Sequence, residues 1–168
     1  MNKIQKYSIG AALALFYYLA YSGNLSHIIA YHEQHHLFLF TEAYFEQQVQ
    51  SEGFFSYLTD FIIQFFYYPT LGSALLALLL ASVYLMASNI IRFLFGKEDL
   101  FHLSVIPSLA LFYHTMEASH TLVPITISVL TLAIINLVLW IFRSHMPLIP
   151  LFKNLHIQKK GIRTGITA

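Results

Sequence analysis

Residues 69–92 read PTLGSALLALLLASVYLMASNIIR. This stretch carries no charge before Arg92, opens on a proline that a first helical turn tolerates, and is about as long as the ~20 residues a membrane-spanning helix needs. A helix apolar on every side belongs inside a large core or in lipid. The chain has 168 residues, 57% hydrophobic and 10% charged. That is too little charge to coat a core of this size, against about 25% charged in a typical soluble domain. The sequence therefore predicts an all-α polytopic membrane protein.

Three further apolar runs flank the first one. Expected spans cover about residues 7–30, 69–92, 100–117 and 121–142, with a kink at Pro107 in the third. The basic residues orient them. Lys3, Lys6, Arg92, Lys97, Arg143, Lys153, Lys159, Lys160 and Arg163 lie in short polar segments, and the 85 residues between Lys6 and Arg92 contain none. Short loops rich in Lys and Arg stay cytoplasmic, so both termini are expected inside. Residues 1–142 then form the transmembrane domain and residues 143–168 a basic cytoplasmic tail. Residues 31–68, with Glu33, Glu42, Glu46, Glu52 and Asp60, fall on the outer, periplasmic side of a bacterial inner membrane.

A second reading of the start is a cleaved signal peptide: a basic n-region at residues 1–6, an apolar run over residues 7–21, and Ala20-Tyr21-Ser22 at the cleavage site. The tyrosines within the run and the apolar residues Leu25, Ile28 and Ile29 beyond it favour a retained anchor. Net charge near +1 and the lack of a basic face argue against nucleic acid. With no cysteine, disulfides and thiolate chemistry are excluded. No charged residue lies inside spans two to four, which removes the usual mark of an ion or proton pathway.

The outer segment is too apolar for a disordered loop. Thr41 is placed to cap a short helix over residues 42–50, and Gly53 to end it. From Phe54 to Phe66 the polar residues Ser56, Thr59, Asp60 and Gln64 recur at three- and four-residue spacing, one thin stripe on an otherwise apolar helix. Two short, part-buried amphipathic helices are expected, lying in the outer interface or packed among other helices. Candidate chemistry centres on His32-Glu33-Gln34-His35-His36. On a helix His32 and His36 share a face at a spacing that suits zinc, although the order H-E-Q-H-H departs from the H-E-x-x-H metalloprotease pattern and no third ligand is apparent. His114, Glu117 and His120 form a second polar set, at a hairpin between spans three and four.

Tyr31-His32-Glu33-Gln34, Leu37 to Thr41, Tyr44-Phe45, Gly53, Tyr57-Leu58, Phe61, Gln64 to Pro69 and Leu71-Gly72 resemble the start of an uncharacterised bacterial family of large multi-pass membrane proteins, a domain of unknown function. The resemblance covers about residues 7–121, nothing beyond Arg143 matches, and it implies a piece of a longer protein. A first span followed by a long outer loop with two part-buried helices is also similar to the start of C-superfamily membrane glycosyltransferases, which use lipid-linked sugar donors. That similarity implies Glu33 as a catalytic carboxylate, with His32, Asp60 and Gln64 binding substrate and a divalent metal as the cofactor. His32 stands where many such enzymes have a second acid. The expectation that follows is a membrane scaffold or partner-binding protein with no cofactor, whose partners are the bilayer and other helices or a second copy. The alternative is the N-terminal part of a glycosyltransferase-like enzyme.

Overall fold

A computed structural model describes residues 3–36, 38–95 and 103–145. Among them are seven α-helices and no strand: α1 (Lys3–Ser22), α2 (Ser26–His35), α3 (Glu42–Ser51), α4 (Phe54–Ile63), α5 (Pro69–Phe95), α6 (Val105–His114) and α7 (Val123–His145), with a 3-10 turn at Gln64–Tyr67. Residues 1–136 make one compact unit and residues 137–168 a second, of which only the end of α7 is described. The basic tail expected after Arg143, residues 143–145 of α7 apart, and residues 96–99, expected as a cytoplasmic turn, lie outside the described residues.

Two helices are long and apolar enough to cross a membrane: Pro69–Leu94, with mean hydropathy 2.1, and Val123–Phe142, with 2.5. The other two expected spans take a different form. The run expected over residues 7–30 is two helices, broken at Gly23-Asn24-Leu25. Gly23 and Asn24 are weak helix formers, and the break is stitched by Leu25 N–H to Ala20 O at 2.9 Å and Ser26 N–H to Gly23 O at 3.1 Å. In the third, the described helix is ten residues long, about 15 Å, against a hydrocarbon core of about 30 Å. Pro107 does not kink it. It stands third in the helix, within the first turn, where its missing N–H leaves no bond unmade.

The core joins α1, α2, α5, α6 and the start of α7 through Tyr17, Tyr21, Ile29, Leu76, Leu80, Phe112 and Ile125. α1 and α5 run antiparallel at close range. A Cβ on Gly10 would stand 2.9 Å from Leu85 Cδ2, and four residues nearer the N terminus the buried Lys6 ammonium donates to Asn89 Oδ1. Lys6 and Arg92 therefore share one end of the bundle. The α2–α5 approach is as tight, since a Cβ on Gly72 would meet Phe66 Cδ1 at 2.9 Å and Ile29 Cγ2 at 3.1 Å. Hydroxyl groups fix α6. Tyr17 Oη and Ser108 Oγ are 2.8 Å apart, Ser108 Oγ–H donates to Leu80 O at 2.7 Å, and Tyr21 Oη meets Thr115 Oγ1. On α7, Asn136 Nδ2 donates to Met86 O at 3.2 Å.

Candidate functional site

The outer segment is built from local chemistry. Thr41 is extended and its hydroxyl accepts from Tyr44 N–H at 3.2 Å, so it caps α3 as its sequence position predicts. Glu42 stands in the first turn, favoured by the helix dipole. Gly53, at φ +92°, turns the chain between α3 and α4 in a region L side chains rarely enter. Phe38 packs its ring against Phe40, Tyr44, Tyr57 and Phe61 at centroid distances of 4.8 to 5.8 Å, closing the segment over α3 and α4.

The polar stripe of α4 faces inward. Ser56, Thr59 and Asp60 are buried, whereas Phe54 is 49% and Phe55 39% exposed. Each buried polar group finds a partner. Ser56 Oγ–H donates to Glu52 Oε2 at 2.8 Å. Thr59 Oγ1–H donates to Thr126 Oγ1 of α7 at 2.9 Å, with Phe55 O also 2.8 Å away. Asp60 is the centre of the set. Its Oδ1 accepts from His36 Nδ1–H at 2.9 Å, and its Oδ2 accepts from Gln48 Nε2–H at 2.9 Å and Tyr44 Oη–H at 3.2 Å. Gln48 also donates to Glu52 at 3.1 Å, so α3 and α4 share one polar seam. Desolvation, then the Asp60 carboxylate, pushes the Tyr44 phenol up to about 12, which keeps it a donor.

Next to this seam His32 is 2% exposed, and neither ring nitrogen has a hydrogen-bond partner among the described residues. Its ring centroid lies 5.6 Å from that of His36 and 5.6 Å from that of Tyr31. Burial first, then the charges of His36 and His35, hold its imidazole down at about 4 against the usual 6.5. It is therefore neutral at pH 7.

Of the four residues expected at a site, the fold links His32 and Asp60, with His36 between them. Glu33 is half-buried and makes no hydrogen bond or ion pair among the described residues. Gln64 begins the 3-10 turn, half-buried, its side chain likewise without a hydrogen bond there. His36, Tyr44 and Gln48 complete the Asp60 set. Tyr44 and Gln48 stand four apart on α3, which puts them on one helix face, but their partner on α4 leaves no trace in the local sequence. Among the described residues no three His, Asp or Glu side chains gather as a metal set.

Two hollows are the best defined. One is a shallow depression along α3 at Ala43, Glu46, Gln47, Gln50 and Ser51. The other is an apolar groove of about 250 Å³ between α4 and α7, lined by Leu58, Phe61, Ile62, Thr126, Val129 and Leu130. Neither includes Glu33, His32, Asp60 or Gln64.

At the α6–α7 turn, the rings of His114 and His120 stack at 4.6 Å, and His120 Nδ1–H donates to His114 O at 2.9 Å. Glu117 takes Ser119 Oγ–H at 2.9 Å and lies 3.3 Å from His120 Nε2. These side chains close the turn on itself.

No curated protein and no solved structure matches the chain. A family match runs over residues 2–156, past Arg143, where the sequence reading ended the resemblance. With nearly its whole length covered, the chain belongs to the Family of unknown function (DUF6057).

Proposed function

We propose that the chain is an integral membrane protein of the bacterial inner membrane that serves as a helix-packing scaffold for other membrane helices or a second copy of itself. It crosses four times with both termini in the cytoplasm and residues 31–68 on the periplasmic side. The observation that carries this reading is α7. Val123–Phe142 has mean hydropathy 2.5, and only 11% of its 18-residue apolar window is buried. A core helix of a soluble protein would be mostly buried, and a signal sequence would stand at the N terminus. An uncovered helix of this kind is stable only where lipid or other helices meet it. The broken α1–α2 pair and the short α6 fit the same arrangement, because hydroxyl, amide and backbone bonds tie both to the long α5.

The cysteine-free chain allows a direct test. Single cysteines at Glu46→Cys and Lys97→Cys should react with a membrane-impermeant maleimide from outside and only after lysis, respectively. Labelling of Lys97→Cys in intact cells would reverse the topology.

The glycosyltransferase-like alternative draws support from Glu33, which is half-buried and makes no hydrogen bond or ion pair among the described residues, a state suited to meeting an acceptor hydroxyl or a divalent metal. Neither of the two hollows described above takes in Glu33, Asp60 or Gln64. For that reason the scaffold reading is preferred. Glu33→Gln separates the two in a complementation assay: the enzyme reading expects loss, the scaffold reading full rescue.

A further inference from the structure

α4 has its polar side in and its apolar side out, and that apolar side leads into the groove against α7. Phe54, Phe55, Leu58, Phe61, Ile62 and Phe65 recur at helical spacing as one stripe. Its first two members are exposed, and its middle members form one wall of the groove, with Val129 and Leu130 of α7 forming the other. Thr126 is the lone polar residue there, and its hydroxyl is held by Thr59 beneath the surface. The lining thus offers no free polar group that a peptide or a sugar would use. Across the groove the stripe is continuous with α7, which carries exposed Ile127 and Ile134 and is itself apolar enough to span. Downstream, the stripe runs through the exposed Tyr67 and Tyr68 straight into Pro69 of α5. Aromatic side chains of this kind concentrate at the lipid–water interface.

We infer that the α4–α7 groove holds a phospholipid acyl chain, with α4 lying in the outer leaflet's interfacial layer. This rests on the membrane reading proposed above and adds the occupant and depth of the outer segment. Headgroup charge takes no part. Residues 31–68 contain no Lys or Arg and carry Glu33, Glu42, Glu46, Glu52 and Asp60, so anionic lipid gains nothing there. The recognition is by hydrocarbon alone.

The chain has one tryptophan, Trp140, exposed on α7. Full-length protein is reconstituted in phosphatidylcholine vesicles whose acyl chains are brominated, and tryptophan fluorescence is compared with unbrominated vesicles. Wild-type Trp140 reports whether α7 is in lipid at all. In a Trp140→Phe background, Phe61→Trp reports the groove and Phe54→Trp the outer stripe. Should Phe61→Trp disturb the ring cluster, Phe54→Trp still reads the face. The expected result is loss of fluorescence at both positions comparable with that of Trp140, unchanged when part of the lipid is phosphatidylglycerol. Quenching of Trp140 with neither new tryptophan quenched would overturn the acyl-chain groove and leave the membrane reading standing. Unquenched Trp140 would remove both.

Discussion

A single carboxylate organises the outer segment. Asp60 is 4% exposed and accepts hydrogen bonds from three side chains contributed by the α2 terminus and α3. Hydrogen bonds to a charged acceptor contribute more than neutral ones, and truncation strands their donors. Asp60→Ala should destabilise the protein by about 2–3 kcal/mol in a denaturant titration in detergent, with Asp60→Asn milder because it keeps one acceptor. An unchanged midpoint for Asp60→Ala would show the seam to be idle. His32 is the opposite case, a buried ring with no hydrogen-bond partner among the described residues. In the fold it takes a proton only near pH 4, whereas in the unfolded chain it does so near 6.5. Between those values the unfolded state binds more protons, so this residue's contribution is intact above 6.5 and declines as pH falls toward 4. His32→Phe should flatten stability over that window and be neutral or stabilising at pH 7, where it removes an unsatisfied polar ring. A variant that loses stability at pH 7 would point to a partner for those nitrogens.

Local rules served best where one residue decides a helix end. Thr41 and Gly53 bound α3 because a cap and a positive φ are matters of a few neighbouring atoms. A Cβ on Gly53 would meet nothing within 4 Å, so only backbone strain opposes substitution. Gly53→Ala should destabilise by about 1–3 kcal/mol, measurable as faster proteolysis between α3 and α4; an unaltered cleavage rate would mean the turn tolerates a side chain. Hydropathy alone did not foresee how two of the expected spans are divided or shortened as helices. A run of apolar residues says nothing of Gly23-Asn24, whose low propensity divides α1 from α2, nor of Pro107, which stands in the first turn of α6 instead of bending it. Amphipathic spacing found the stripe of α4 but not its direction. Which face turns inward depends on the surroundings, and the pairings that settle it, His36 with Asp60 and Thr59 with Thr126, span 24 and 67 residues.

At the scale of the molecule, the described residues bury several small polar side chains beside the apolar core while leaving large apolar ones exposed. Phe54, Tyr67, Ile134 and Trp140 stand exposed while Ser73, Ser88, Ser108 and Thr115 are buried. Such an arrangement predicts that alkaline carbonate leaves the chain in the membrane pellet and that detergent releases it. Recovery in the carbonate supernatant would count against every span proposed. The charge pattern set Lys6 and Arg92 at the same end of their helices, and the Lys6–Asn89 contact brings those ends together. The candidate site was legible in its members His32 and Asp60 and not in its geometry.

The hydroxyl bonds between α1 and α6 have one more consequence. Tyr17 meets Ser108 and Tyr21 meets Thr115, so partners four residues apart on α1 engage one residue within α6 and one just past its end, seven positions apart. Unequal spacings of this sort work as a vernier. Sliding α6 by one residue would disengage both tyrosines together, with no neighbouring position at which both pair again. A ten-residue helix has little grip of its own, and here its register is held by hydroxyls of α1 together with Leu80 O of α5.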